Sequence, residues 1–279
     1  MPVVLLAGCG DIALRLSRQL DPRFSLIGLR RHPELLPTTI QPLAADVCDK
    51  LSIDTALHKR SLDYVIITLT PGERSAGRYH QVYVEGTRHL LQALEGTPKV
   101  LFVSSTSVYG QQNGEWVDER SLATGDGFSG RALLEAEHLV MTSGLPATCI
   151  RFSGIYGPGR ERLLSRVREG RVGTADAGQF SNRIHADDAA RVLAFLVHRW
   201  EQGVTPESLY VASDTRPVQS GYVWQWLAQQ MGMAAPDLPA DWENLAPTGK
   251  RCNSQRLQSE GFVFQYPDFC MGYRALLLR

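Results

Sequence analysis

Short apolar runs alternate with helix-period segments through the first half of the chain. The runs are Val3–Ala7 and residues 24–29, 64–69, 100–103 and 147–152. They are largely unbroken by polar positions, the pattern of strands covered on both faces. Between them Ile12, Leu16 and Leu20 share one helical face, and residues 79–94 and 132–141 repeat that period. Strands separated by crossover helices predict a doubly wound parallel α/β sheet. The pattern changes after the Gly157-Pro158-Gly159 breaker, where an Arg-rich amphipathic stretch (Arg162–Arg168), a loop and an apolar helix over about 187–200 follow. Residues 1–158 therefore read as one domain and 159–279 as a smaller lobe, with Leu209–Ala212 returning a strand to the main sheet. Residues 222–231 and the last 25 residues read as helical or irregular.

Composition narrows the function classes. The 279 residues are 43% hydrophobic and 21% charged, enough for a buried core and too apolar for disorder. Lys plus Arg equals Asp plus Glu at 29 each, so no net field draws in polyanions and nucleic acid is not expected as a partner. No window supplies the roughly 20 apolar residues of a membrane span. Met1 leads directly into a strand and Gly-Cys-Gly rather than a signal-peptide pattern, so neither a membrane nor a secreted protein is expected. Cys9, Cys48, Cys149, Cys252 and Cys270 are odd in number, far apart and without a CxxC pair. That spacing predicts reduced thiols, a cytoplasmic location and no zinc site.

Candidate chemistry begins at the first strand. Val3–Ala7 runs into Gly8-Cys9-Gly10-Asp11-Ile12-Ala13 and then a helical segment, the strand, turn and helix order of a dinucleotide site. Gly8 permits the turn, Gly10 lets the backbone approach a pyrophosphate, and Ala13 permits close packing of helix on strand. The anion would rest on amides of residues 8–12 at the helix N-terminus. The alternative is a tight turn with no ligand. Where an NAD-preferring protein places an acidic residue after the second strand, this chain has Arg30-Arg31. Paired guanidinium groups suit a 2′-phosphate, which favours NADP over NAD, against the alternative of two solvated surface arginines. Asp46 and Val47, after the third strand, fit the adenine edge or an ordinary surface turn.

The segment Lys99-Val-Leu-Phe-Val-Ser-Ser-Thr-Ser-Val-Tyr-Gly110 ends a strand in a hydroxyl cluster. With the phosphate loop, it resembles the extended short-chain dehydrogenase/reductase family, also called the NAD-dependent epimerase/dehydratase family. Tyr83-Val-Glu-Gly-Thr87 is similar to the helix before that strand, and Arg151-Phe-Ser-Gly-Ile-Tyr-Gly-Pro-Gly159 to the strand end bordering the nicotinamide. Asn182-Arg-Ile-His-Ala-Asp-Asp188 is similar to the opening of the substrate lobe, and residues 253–262 to the family's terminal motif. The resemblance implies a Rossmann-type enzyme that oxidises, epimerises or dehydrates sugars, nucleotide sugars or small carbonyl compounds. It places Thr68, Leu69, Thr70, Phe152, Gly154 and Ile155 against the coenzyme. It places Thr106, Tyr109, Tyr156, Asn182 and Arg183 against a small-molecule substrate. Pairing of two chains through helices flanking the central strand follows by analogy.

The family's general acid/base is a Tyr with a Lys four residues later; the ammonium and a hydrogen bond bring the phenol's pKa of about 10 towards neutrality. By alignment Tyr falls on Ser129 and Lys on Leu133, and none of Lys50, Lys59, Lys99 and Lys250 has a Tyr four residues before it. The polarising hydroxyl falls on Ser105, with a strand-end turn as its alternative. Ser129 reads as a replacement acid or a helix N-cap, and Tyr83 as a substitute phenol or core packing. His185 has no partner at metal-ligand spacing, which leaves a hydrogen-bond role in closing the lobe. Asn182 and Arg183 suit an anionic substrate group or internal bonds. A non-catalytic NADP(H)-binding redox sensor is the competing expectation to an atypical oxidoreductase or epimerase.

Overall fold

The computed structural model describes residues 1–172 and 176–278. Strands β1 (Val3–Ala7), β2 (Ser25–Arg30), β3 (Gln41–Ala44), β4 (Tyr64–Ile67) and β5 (Lys99–Ser105) come first. β6 (Asn113–Val117), β7 (Ala147–Phe152), β8 (Gly154–Tyr156), β9 (Phe180–Ser181) and β10 (Arg183–His185) follow. β11 (Leu209–Ala212), β12 (Val218–Gln219) and β13 (Gly249–Cys252) complete the set. One sheet has seven strands in the order β11-β7-β5-β4-β1-β2-β3, and the pairings from β3 across to β5 are parallel. This is the doubly wound α/β architecture read from the alternation of apolar runs. Val4, Leu5, Leu6 and Ala7 are all fully buried, as are Tyr64, Val65, Ile66 and Ile67 to within one per cent. Burial on both faces explains why these strands carry no polar alternation.

The chain leaves β1 towards β2 on one side and reaches β4 on the other, so strand order reverses between β1 and β4. In such sheets the crevice at the carboxyl ends of the two strands is the ligand-binding position. Gly8 follows β1 and Thr68 follows β4 at that crevice.

Helix α1 (Asp11–Ser17) buries Ile12, Ala13 and Leu16, the apolar face seen in the sequence. Helix α2 (Lys50–Leu57) is capped by Asp49, whose side chain accepts from the amides of Leu51 and Ser52. The helix expected over 79–94 begins earlier, because Ser75 accepts the Arg78 amide and caps a first turn, α3 (Ala76–Tyr79). It passes through a π-helical segment (His80–Glu85) into α4 (Gly86–Ala93). Helix α5 (Phe128–Met141) starts at an N-cap of Gly127, so Ser129 lies inside its first turn and is not the cap.

The chain divides into two compact units that interleave in sequence. The first comprises Met1–Gly110, Leu122–Arg151 and Ala190–Tyr210; the second comprises Gln111–Ser121, Phe152–Ala189 and Val211–Arg279. The single boundary expected near residue 158 is thus replaced by several crossings. The physical reason is pairing: β6 belongs with β13, parallel to it, while β11 lies beside β7 in the main sheet. Both β6 and β13 are short and polar, which hid them from a hydrophobic-pattern reading.

Within the second unit, helices α6 (Arg162–Arg168), α7 (Ser220–Gln230) and α8 (Phe269–Leu277) enclose a core around Leu164, Val223, Leu227, Trp242 and Tyr273. Asp188 is fully buried and accepts from the amides of Gln265 and Tyr266, tethering the C-terminal segment. Asp214 is also buried, and burial pushes its carboxyl up to about 8 despite nearby Arg183. The folded state therefore holds this proton between the ordinary aspartate range and about pH 8, while the unfolded chain releases it. Stability contributed by the neutral carboxyl is complete below about pH 4 and is lost as pH rises through that window. Asp214→Asn should remove this loss, so thermal melts of wild type and variant should diverge from pH 5 to pH 9, with the variant the more resistant to alkali. Parallel melting curves would refute the buried neutral state.

Candidate functional site

The first unit contains a cleft of about 240 Å³ at the carboxyl ends of β1, β2 and β4. Its floor is the phosphate loop. Gly8 has φ +77°, a left-handed conformation that suits glycine, and donates its N–H to the Leu29 carbonyl at 3.0 Å. A Cβ there would lie 3.0–3.1 Å from Leu69 and from the Thr68 carbonyl, so Gly8 is required by the fold itself. Gly10 differs. Its φ of −102° is open to any residue, and a Cβ would meet only the Gly8 carbonyl oxygen at 3.6 Å. The missing side chain at Gly10 therefore leaves open space above the loop, as close approach by a ligand backbone or phosphate would require.

The N-cap residue of α1 is Gly10, which has no side chain to cap the helix. Asp11 forms an ion pair with Arg15 at 2.7 Å along the helix surface, and Ile12 is buried beneath the turn. Cys9 lines the cleft, and burial pushes its thiol up to about 11, so the loop carries no thiolate at neutral pH. Thr68 donates from Oγ1 to the Gly8 carbonyl at 3.0 Å, tying the end of β4 to the loop. These groups fit a bound dinucleotide diphosphate: Gly10 supplies the space, Gly8 the turn, and α1 the N-terminal amides.

The walls come from the other strand ends. Arg30 ends β2, Arg31 and His32 follow it, Asp46 and Val47 follow β3, and Leu69 and Thr70 follow β4; all line the cleft. Arg30 is half-buried and donates from Nη1 to the Cys9 carbonyl at 3.3 Å, which lays the guanidinium over the phosphate loop. Arg31 is exposed. Asp46 accepts the Cys48 amide at 3.0 Å, an Asx turn that shapes the Asp46-Val47 corner. The Val47 carbonyl is held by the His89 ring at 2.8 Å. Nine of the residues singled out from the sequence (Gly8, Cys9, Gly10, Arg30, Arg31, Asp46, Val47, Leu69, Thr70) thus meet in one place. Sequence reading missed Arg78 and Val82, which also line it from the α3 and π-helical stretch. Nothing in linear spacing marks them, because they approach from a helix whose register only the fold sets.

The candidate catalytic residues of the first unit are distributed differently. Ser105, at the end of β5, is half-buried and accepts the Ser107 amide at 3.2 Å. Its own O–H therefore stays available to donate. Thr106 is buried in the turn that follows. Tyr83 lies in the π-helical segment, half-buried, with its ring edge-on to Tyr79 at 5.5 Å. Tyr79 in turn meets Phe128 at 5.2 Å, beside Ser129. Burial pushes the Tyr83 hydroxyl up to about 12, with Tyr79 a lesser contributor. Leu133 is 3% exposed, so the position aligned with the family's lysine faces the core. Tyr109 is buried, and its hydroxyl accepts from Arg151 at 3.0 Å within a network that includes Glu137 and Ser104.

The remaining expected residues belong to the second unit. Phe152 is buried, Gly154 is exposed and Ile155 half-buried along β7 and β8. The Tyr156 ring stacks on Tyr273 at 4.5 Å and meets His185 edge-on at 5.3 Å. Its hydroxyl is buried without a hydrogen-bond partner among the described residues, and burial pushes it well above the ordinary phenol range. The Asn182 amide is committed at both ends: Nδ2 donates to the Lys250 carbonyl and Oδ1 accepts from the Cys252 amide, each at 2.7 Å. Arg183 hydrogen-bonds the Tyr273 hydroxyl. His185 accepts the Asp187 amide at Nδ1.

Comparison with known proteins agrees with this architecture. A structure from Methylobacillus flagellatus, provisionally described as an NAD-dependent epimerase/dehydratase, is 37% identical with a TM-score of 0.84, covering 99% of this chain and 98% of that one. The Escherichia coli K12 protein YeeZ is 29% identical over 248 residues, spanning 86% of this chain and 80% of YeeZ. The UDP-glucose 4-epimerase of Thermus thermophilus, solved in complex with NAD, shares the fold at 19% identity and a TM-score of 0.76, covering 98% and 97% of the two chains. The family model for the NAD dependent epimerase/dehydratase family matches residues 16–212, from α1 to the last strand of the main sheet. With the reversal of strand order, the glycine-opened loop and a match over most of its length, this chain belongs to the NAD dependent epimerase/dehydratase family.

Proposed function

We propose that this protein is an NADP-dependent reductase that acts on a small carbonyl compound, a sugar or a nucleotide sugar. The observation that carries the coenzyme assignment is the end of β2, where Arg30 and Arg31 line the cleft at the position an NAD-preferring family member gives to a carboxylate. A 2′-phosphate adds about two negative charges that a pair of guanidinium groups neutralises with bidentate geometry. When bound, the coenzyme supplies the hydride.

The chain's own groups favour reduction over oxidation. Ser105 accepts the Ser107 amide, and its hydroxyl proton, which no hydrogen bond among the described residues uses, serves to donate to a substrate oxygen. With its hydroxyl held up to about 12, Tyr83 stays protonated near neutrality and serves as a proton donor, not a base. Carbonyl reduction needs a donor to the developing alkoxide, and near neutrality both hydroxyls rest in the protonated form from which that proton is given. The π-helical segment bearing Tyr83 and the turn after Ser105 both pack against α5, the helix that carries Ser129. A redox sensor without turnover is the second reading, favoured by the burial of Leu133 where the family's ammonium would stand.

Titration with NADPH and NADH, followed by nicotinamide fluorescence, tests the coenzyme assignment. NADPH should bind at least tenfold more tightly, and Arg30→Ala with Arg31→Ala should abolish that preference while leaving NADH binding nearly unchanged. Tighter binding of NADH would overturn the assignment. Consumption of NADPH with a panel of aldehydes, ketones and nucleotide-linked keto sugars then separates enzyme from sensor. Turnover that falls at least a hundredfold in Ser105→Ala supports the reductase, and coenzyme binding without any turnover supports the sensor.

A further inference from the structure

The wall of the coenzyme cleft contains one cation that the 2′-phosphate argument does not use. Arg78, in α3, lines the cleft together with Val47 and Val82. Its guanidinium is pinned along its edge by three neutral acceptors. Nε donates to the Pro71 carbonyl at 3.1 Å, and Nη1 donates to Gln81 Oε1 at 2.8 Å and to Cys48 Sγ at 3.3 Å. No carboxylate pairs with it among the described residues. The backbone that carries it is also fixed, since the Arg78 amide donates to the Ser75 side chain that caps α3.

An arginine held this way differs from a surface arginine in two respects. Its rotamer freedom is already lost, so a ligand need not order it. Its bonds lie in the guanidinium plane, which leaves the flat faces and the positive charge uncommitted. Flat guanidinium faces stack on the π-systems of bases and aromatic rings. The two guanidiniums assigned to phosphate chemistry stand at the end of β2, whereas Arg78 comes from the helix after β4 and stands with the Asp46-Val47 corner. We propose that Arg78 is the platform on which the adenine ring of the coenzyme stacks, opposite the Val47 corner. The assignment rests on the coenzyme reading above and adds a residue to it: recognition of the base by a cation fixed in advance, separate from recognition of the 2′-phosphate.

Calorimetric titration of the full chain with 5′-AMP and with 2′,5′-ADP (adenosine 2′,5′-bisphosphate) tests it, because the two ligands share the base and the 5′-phosphate and differ only in the 2′-phosphate. In Arg78→Met both dissociation constants should rise by the same factor, roughly tenfold. Arg78→Lys should not restore them, since an ammonium keeps the charge but lacks the planar face. The exposed anchor is a second probe: Gln81→Leu should weaken both ligands by a smaller, equal factor. Thermal melts of each variant within about 2 °C of wild type would show that the fold is kept. A loss confined to 2′,5′-ADP and rescued by Arg78→Lys would overturn the proposal by making Arg78 a phosphate ligand. Unchanged affinities in Arg78→Met or in Gln81→Leu would overturn it as well. Wild-type protein that binds neither nucleotide would fail the coenzyme reading itself, a result distinct from a variant that leaves wild-type binding intact.

Discussion

Replacing Glu137 with leucine should lower the free energy of unfolding by about 3–5 kcal/mol. Glu137 and Arg151 form an ion pair at 2.6 Å whose side chains are 8% and 7% exposed. Arg151 Nε donates to the same carboxylate at 2.9 Å, Ser104 donates its hydroxyl to Oε1 at 2.5 Å, and Arg151 Nη1 donates to the Tyr109 hydroxyl at 3.0 Å. The carboxylate raises the already high pKa of Arg151 further, against the opposing effect of burial. Arg151 cannot discharge to escape, so removal of its partner leaves a cation in a dry interior. Urea unfolding measures the loss, and a midpoint shift equivalent to less than 1 kcal/mol would mean that water reaches the group. The double replacement Glu137→Leu with Arg151→Leu should recover part of the loss, because paired charges that are removed together leave nothing unsatisfied. Ser104 precedes Ser105, so under the proposed reductase activity Glu137→Leu should also reduce turnover through the position of that hydroxyl.

The second large effect separates two glycines of one loop. Gly8→Ala should destabilise the protein by about 1–2 kcal/mol from the left-handed backbone alone, with a further cost from contacts at 3.0–3.1 Å that include backbone atoms. Gly10→Val should leave stability within about 0.5 kcal/mol, since the nearest atom to a Cβ is 3.6 Å away and φ is unexceptional. Coenzyme binding should respond in the opposite order, with Gly10→Val losing at least a hundredfold because the added methyls occupy the space where a diphosphate would rest. Thermal melts paired with NADPH titrations read both quantities. Equal affinity of wild type and Gly10→Val would place the diphosphate elsewhere.

Much of the first unit was legible as a line of residues. Strands buried on both faces are mostly apolar, so Val3–Ala7, and Ala147–Phe152 despite Thr148 and Arg151, announce themselves at their observed limits. The glycines after β1 and the arginines at the end of β2 sit within a few residues of those strands, where backbone geometry is local. For the same reason the cleft residues that follow β1, β2 and β3 were identified together. Arg78, whose position depends on a π-helical insertion and on contact with Cys48, was not.

What the chain determined alone is the order of the apolar strands of the main sheet and the helices between them, the opening at Gly8 and Gly10, and the absence of a Tyr and Lys pair at helical spacing. Those properties follow from side-chain size, backbone sterics and polarity along a few neighbouring positions. Only the tertiary structure decided that Leu133 is core, that Asn182 is bound to β13, that Asp214 is buried enough to hold its proton, and that β6 pairs with β13. Each of these depends on partners tens of residues away, and the energy of a buried polar group or a paired strand edge is set by what packs against it, not by its neighbours in sequence.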